Sequence, residues 1–233
     1  MPKTYAQASN QDCWQQALKK ELQALQDNHT WDIVSCPTGI KPIGCKWVYT
    51  IKFQPDGSVE RYKERLVALG NYQAYGINYE EIFAPVAKMN TIRTIMAIVI
   101  SKRWSLRQMD IKNAFLHGDL KENIYMTPPP SMFTHPSDKV CWLKQSLYDL
   151  KQAPRVWFEK VRTIHLKLKF IQSQYDSSLF LQQTTTGIVA LLVYLDDIII
   201  TRSDIPLIED LQRSLNSEFH MKDLGHLYYF LGL

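Results

Sequence analysis

A chain of 233 residues that is 45% hydrophobic and 12% aromatic has enough apolar material for one large domain or two packed lobes, and too much for a disordered chain. Its net charge of +4 is uneven: residues 41–107 carry 11 Lys/Arg against 5 Asp/Glu, so the remainder is slightly acidic. That asymmetry suits a polyanion brought to an acidic site, although a solvated basic face has the same composition. The cysteines (Cys13, Cys36, Cys45, Cys141) form no Cys-x-x-Cys pair, no histidine lies at zinc spacing, and no apolar run reaches the length of a bilayer span, which argues against structural zinc and a membrane role. With a polar start and no signal segment, the expectation is an intracellular protein with reduced thiols.

In chain order, Ser9-Asn10-Gln11-Asp12 predicts a capping box opening a helix whose apolar face is Trp14, Leu18, Leu22 and Leu25. Residues 46–53 read as a strand, Pro55-Asp56-Gly57 as a turn, and residues 59–69 as the partner strand. On that partner Arg61, Lys63 and Arg65 recur at period two and therefore share a face. Three aligned cations suit phosphate contacts; a solvent face salt-bridged to Glu60 and Glu64 is the alternative. A helix over 91–102 follows, with Ile92, Ile95, Met96, Val99 and Ile100 as its core face. Residues 104–111 form a short strand ending in Asp110. Tyr125-Met126 ends another strand before the stiff Pro128-Pro129-Pro130 run. Pro154 suits the first turn of a helix reaching about residue 168. Ile208, Leu211, Leu215 and Phe219 mark a last amphipathic helix, ended by residues 221–225, and Tyr228 begins a final strand.

The chain is organised around residues 189–201, where two apolar, β-branched runs flank Asp196-Asp197. This predicts a hairpin, with strands over 190–195 and 198–201 and both carboxylates at its tip. Adjacent like charges between buried strands are costly unless a cation lies between them, and hard divalent ions prefer carboxylate oxygens. Good turn chemistry is the plainer explanation of an Asp-Asp pair. Asp110, also in an apolar setting, supplies a third acid, with the Ile111 carbonyl beside it. The three carboxylates are expected within reach of two ions about 3.5–4 Å apart.

The ordered series RYKERLVALG from Arg61, EIFAPVAK from Glu81, QMDIKNAFLHGDL from Gln108, SLYDLKQAPRVWF from Ser146, LVYLDDIII from Leu192 and MKDLGHLYYFLG from Met221 resembles the reverse transcriptase domain of copia-type LTR retrotransposons. The resemblance implies an α+β fold, the fingers and palm of a right-hand polymerase, with helices backing an antiparallel palm sheet. It divides the chain into an N-terminal helix (1–30), fingers (31–90 and 118–152) and palm (91–117 and 153–233), ending at a primer-grip-like strand. It implies two Mg²⁺ ions, with Mn²⁺ as a substitute, held by Asp110, Asp196, Asp197 and the Ile111 carbonyl. Lys222 is implied as proton donor to pyrophosphate, with an ordinary surface lysine as the alternative. Lys63, Arg65, Ile111, Tyr148, Asp149 and Gln152 are implied at the nucleotide. So is Phe115, as a steric gate against a 2′-hydroxyl, with core packing as the alternative. Arg61, Tyr194, Tyr229, Phe230 and Gly232 are implied at nucleic acid.

The partners implied are an RNA/DNA template-primer, deoxynucleoside triphosphates and the rest of a Pol polyprotein, with its integrase and ribonuclease H. The implied location is a cytoplasmic retrotransposon particle, if the chain is expressed. Asp149 stands where the family has glycine, Leu69 where it usually has lysine, and Arg202 and Pro130 where glycines are common. With thumb, connection and ribonuclease H expected to be absent from this chain, two functions follow. One is a truncated RNA-directed DNA polymerase domain. The other is an inactive remnant that keeps the fold and binds nucleic acid weakly.

Overall fold

The computed structural model describes residues 1–130, 132, 138–185, 187–202, 213, 215, 216, 218, 219 and 221–230. The chain divides into two compact units, Met1–Ile82 with Phe115–Val156 and Phe83–Ala114 with Trp157–Leu233. Its helices are α1 (Tyr5–Ala8), α2 (Asp12–Asp27), α3 (Met89–Lys102) and α4 (Ala153–Lys167). Its strands are β1 (Trp31–Ser35), β2 (Cys45–Phe53), β3 (Val59–Ala68), β4 (Ser105–Ile111), β5 (Asp119–Met126) and β6 (Lys139–Gln145). They continue with β7 (Ile171–Gln172), β8 (Leu179–Thr184), β9 (Gly187–Tyr194), β10 (Asp197–Arg202) and β11 (Met221–His226). Mixed α and β elements with antiparallel sheets match the expected class.

The first unit holds the β2–β3 hairpin and a three-stranded sheet in the order β1-β6-β5. Helix α2 lays Trp14, Ala17 and Leu25 into a core with Trp47, Leu66, Ile124, Met126 and Leu143. The expected capping box does not form. Gln11 is the N-cap without a side-chain cap bond, and the Ser9 hydroxyl donates to the Ala6 carbonyl. From Lys63 onward β3 alternates half-buried and buried residues, which puts Glu64 among the buried ones. Helix α2 brings Glu21 in as well, and its carboxylate accepts the Leu66 amide at 3.4 Å.

The second unit is built on a six-stranded sheet in the order β11-β4-β10-β9-β8-β7. Residues 189–193 of β9 and 198–201 of β10 are buried without alternation. Both faces of these strands are covered, which is why the sequence there is continuously apolar. One face packs Leu192 and Ile199 with Ile92 of α3, Ala87 and Phe230. Ile92 and Val99 form the core face of α3, but Ile100, expected there, is 76% exposed. Pro154 is the second residue of α4, as its fixed φ favours.

The C-terminal expectations need correction. Residues 221–225 do not end a helix; Met221–His226 is β11, an edge strand on β4, because ladder pairing overrides local propensity there. The described residues from Leu227 to Phe230 are irregular, so no strand begins at Tyr228. Ile208 and Leu211 lie outside the described residues, whereas Leu215 and Phe219 are fully buried as expected.

Two buried ionisable groups give the units opposite pH responses. Burial pushes the Glu64 carboxyl up to about 7 from 4.5, and it pushes His165, beside the rings of Phe170 and Phe180, down to about 4 from 6.5. The folded first unit therefore holds a proton that the unfolded chain releases, a stabilisation fully present below pH 4.5 and lost as pH rises through 7. The folded second unit refuses a proton that the unfolded chain accepts, a stabilisation present above pH 6.5 and lost as pH falls toward 4. In calorimetry across pH, Glu64→Gln should raise the melting temperature at pH 8 and flatten the slope between pH 4.5 and 7. His165→Phe should flatten the slope between pH 4 and 6.5.

Candidate active site

In the second unit, a row of polar side chains crosses an otherwise apolar sheet. Asp197 at the start of β10 pairs with Asp110 on β4 and with Tyr194 on β9. Asp110 pairs in turn with Lys222 on β11. Directly paired residues project to the same face, and neighbouring strands lie about 4.8 Å apart. Lys222, Asp110, Asp197 and Tyr194 thus form one line over four adjacent strands. The hairpin turn falls one residue earlier than expected, with Leu195 and Asp196 in it and Asp197 opening β10. The Asp196 carbonyl accepts the Ile111 amide at 3.0 Å, which ties the turn to the end of β4.

Burial raises the affinity of Asp197 for its proton; the charges of Asp196 and Asp110 add to this, and a hydrogen bond from Gln108 opposes it. Gln108, two residues before Asp110 on the same face, donates from Nε2 to Asp197 Oδ1 at 2.9 Å. That residue was missed from sequence, although period two from Asp110 points to it. Among the described residues no three His, Cys, Asp or Glu side chains converge as a metal cage. The three carboxylates expected together are neighbours in register, close enough that Asp196 and Asp110 both act on Asp197. Their chemistry still fits a hard divalent cation: oxygen donors on adjacent strands whose mutual repulsion a cation would relieve.

Lys222 is held in register from the opposite face of its strand. Arg107 pairs with Asp223, whose Oδ1 also accepts the Gly225 amide at 2.8 Å across a bulge where Gly225 has φ +81°. Tyr194 packs edge-on against Phe230 at 5.6 Å. Phe230 is buried in the core, which removes it as a direct nucleic-acid contact, while Tyr229 is exposed. Gly232 lies outside the described residues.

The first unit holds all the residues implied at the nucleotide except Ile111, which ends β4 in the second. Arg61, Lys63 and Arg65 share a face of the hairpin, and Lys52, directly across from Arg61, adds a fourth cation that the sequence reading passed over. Burial and the neighbouring Arg65, Arg61 and Lys52 charges lower the proton affinity of Lys63, although Glu21 acts against them. Arg65 lies over the Tyr148 ring at 4.3 Å, and Phe115 meets the same ring edge-on at 5.6 Å. Gln152 departs from its expected role. It is fully buried, accepting from Gln73 at 3.0 Å and donating to the Asn78 carbonyl at 2.9 Å, so it braces the loop from inside. Lys151 joins that brace through Gln73 and Tyr79.

Asp149 is exposed with φ +69°, in the left-handed region. Its own carbonyl leaves no room at Gly70, where a Cβ would meet the oxygen at 1.8 Å. Glycine suits position 149 for a local reason as well: an L-residue is strained at that φ.

Antiparallel strands thus set paired acids beside a two-residue hairpin turn, and comparison with known proteins shows the family. Residues 28–233 match the family profile described as reverse transcriptase (RNA-dependent DNA polymerase). The chain belongs to that family. It is 42% identical over 234 aligned positions to the retrovirus-related Pol polyproteins from transposons RE2 and RE1 of Arabidopsis thaliana, over its whole length and 16% of theirs. It is 40% identical over 219 positions to that from transposon TNT 1-94 of Nicotiana tabacum, over 93% of this chain and 16% of the relative. The chain thus corresponds to about a sixth of these relatives and is a reverse transcriptase domain of the copia type.

Denaturant titration checks the loop geometry. Asp149→Gly should stabilise the protein by about 1 kcal/mol, because glycine takes the positive φ without strain. Gly70→Ala should destabilise it by about 3 kcal/mol, because a Cβ there displaces backbone.

Proposed function

We propose that the chain extends a primer with deoxynucleotides on a nucleic-acid template, the second unit acting as palm and the first as fingers. The observation that carries this reading is the register that sets Asp110 opposite Asp197 with Asp196 in the adjoining turn. Asp110, Asp196, Asp197 and the Ile111 carbonyl are the residues that would hold Mg²⁺, or Mn²⁺ in its place. Bound there, such ions lower the pKa of the primer 3′-hydroxyl and neutralise charge on the triphosphate. Gln108 orients Asp197. Lys222 carries a proton in line with the acids and gives it to the departing pyrophosphate. Lys52, Arg61, Lys63 and Arg65 bind phosphates by charge. Phe115, braced by Tyr148, crowds a ribose 2′-hydroxyl and selects deoxynucleotides.

A second reading, an inactive remnant that binds nucleic acid weakly, is favoured by the exposed carboxylate at position 149, where the family has glycine. Primer extension on a homopolymer RNA template, with Mg²⁺ and then Mn²⁺, separates the two. The polymerase reading expects incorporation by the natural chain and a loss of roughly a hundredfold or more in Asp110→Asn. Incorporation by neither would count against the polymerase reading for this chain by itself. If Asp149 repels the triphosphate, Asp149→Gly should lower the nucleotide concentration needed for half-maximal rate.

Binding of an RNA–DNA duplex tests the basic hairpin. Each alanine substitution at Arg61 or Lys63 should lower the slope of log affinity against log salt by about 0.7–0.9. An unchanged slope assigns these side chains to a solvated surface.

A further inference from the structure

Leu195, the first of the two turn residues between β9 and β10, has φ +54°. Two-residue hairpin loops favour turns whose first central residue takes a positive φ, and glycine is the residue that accepts it readily. A leucine there is strained. Its side chain is 45% exposed, so burial of the leucine does not offset the strain. Such a conformation persists only where its surroundings over-determine it.

Those surroundings hold both peptide planes flanking Asp196. The plane after Asp196 is fixed by the Ile111 amide, which donates to the Asp196 carbonyl at 3.0 Å. The plane before it is fixed by Trp157, whose indole Nε1 donates to the Leu195 carbonyl at 2.9 Å. Trp157 is only 2% exposed and packs edge-on against Phe219 at 5.0 Å, so its ring cannot swing to follow the turn. An indole has one polar hydrogen and no acceptor, and a buried one needs a partner. Here that partner is the turn carrying the acids. Fixing the Leu195 carbonyl fixes ψ of Leu195, and through the shared peptide plane it fixes the direction in which Asp196 leaves the turn.

We propose that Trp157 is a positioning residue for the acidic turn, holding Leu195 in its strained conformation so that Asp196 and Asp197 are presented together. This rests on the reading of these aspartates as metal ligands. The ligand class is a hard divalent cation, and Trp157 acts on its affinity without touching it.

The probe is Mn²⁺ alone, titrated by water-proton relaxation into the natural chain and its variants. Binding by the natural chain that is lost in Asp110→Asn establishes the metal reading. Its absence overturns that reading and this inference with it. Given such binding, Trp157→Phe, which keeps a ring against Phe219 and removes the donor, should weaken Mn²⁺ affinity about three- to tenfold. Adding Leu195→Gly to Trp157→Phe should recover a good part of that loss, because glycine takes the turn conformation unaided. A merely structural tryptophan would not be rescued by a change at an exposed turn. An unchanged affinity in Trp157→Phe, or a loss that Leu195→Gly does not relieve, overturns the proposal and leaves the metal reading standing. If Trp157→Phe does not fold, the indole ¹H–¹⁵N signal of Trp157 in the natural chain decides. A shift on Mg²⁺ addition that saturates with binding supports the proposal, and an unmoved signal overturns it.

Discussion

The pairing of β4 with β10 is the constraint on which the rest of the second unit depends. Side chains alternate along a strand, so a slip of one residue would turn Asp110 to the opposite face and set Met109 opposite Asp197. The apolar residues on both sides of the sheet prevent that slip, since Met109, Ile111, Ile198 and Ile200 would all have to leave their buried positions. The core thus fixes the register, and the register brings two carboxylates side by side. Burial that stabilises the sheet is also what makes the charge of Asp197 costly. A sheet that needed only stability would not place acids there.

The first unit solves a related problem with opposite sign. One face of β3 carries Arg61, Lys63 and Arg65, with Lys52 across the hairpin, and like charges so close repel one another. The other face buries Glu64, with Glu21 brought in by α2. Burial raises the proton affinity of both glutamates, while Arg65 and Lys63 pull Glu21 the other way. The acids behind the strand are therefore coupled to the cations in front of it. Any ligand that neutralises the basic face also removes part of the field that lowers the proton affinity of Glu21.

Much of this was legible in the sequence because it rests on periodicity. The period-two cations of β3, the apolar stripe of α2 and the two runs around Asp196-Asp197 each state their element directly. The ordered motifs state the family. What was not legible depends on partners distant in sequence. Residues 221–225 carry a glycine and charges and read as a helix end, yet they pair with β4. Phe230 reads as a surface aromatic at the end of the chain, yet it packs against Tyr194. Gln152 reads as a loop amide able to reach a ligand, yet Gln73 and Asn78 occupy it. Ile100 sits on the apolar stripe of α3 by spacing, but that stripe is wider than the surface it covers. In each case local pattern gave the chemistry of the side chain, and only the tertiary neighbour decided its use.

Backbone strain separates function from routine structure more sharply than burial does. Among the described residues six other than glycine have positive φ: His29, Arg103, Asn113, Asp149, Lys169 and Leu195. His29, Arg103 and Lys169 follow the ends of α2, α3 and α4. There the next amide reaches back to a carbonyl in the last turn, from Thr30 to Leu25, from Trp104 to Val99 and from Phe170 to His165. That is an ordinary helix stop. Asparagine and aspartate both enter the left-handed region more readily than other L-residues, which accounts for Asn113 and eases Asp149. Asp149 and Leu195 remain, and no helix end explains either. One lies in the loop that meets Gly70, the other in the turn that carries the acids. The strain at Leu195 is supported by two hydrogen bonds to the turn, as a position under functional constraint requires. At Asp149 the backbone is held as well: the Tyr148 carbonyl accepts the Ala68 amide at 3.0 Å and the Leu147 carbonyl accepts the Leu150 amide at 3.3 Å, although glycine would serve the same backbone at lower cost. The two residues share a conformation and a hydrogen-bonded backbone but differ in side chain: aspartate is among the residues that enter the left-handed region, and leucine is not.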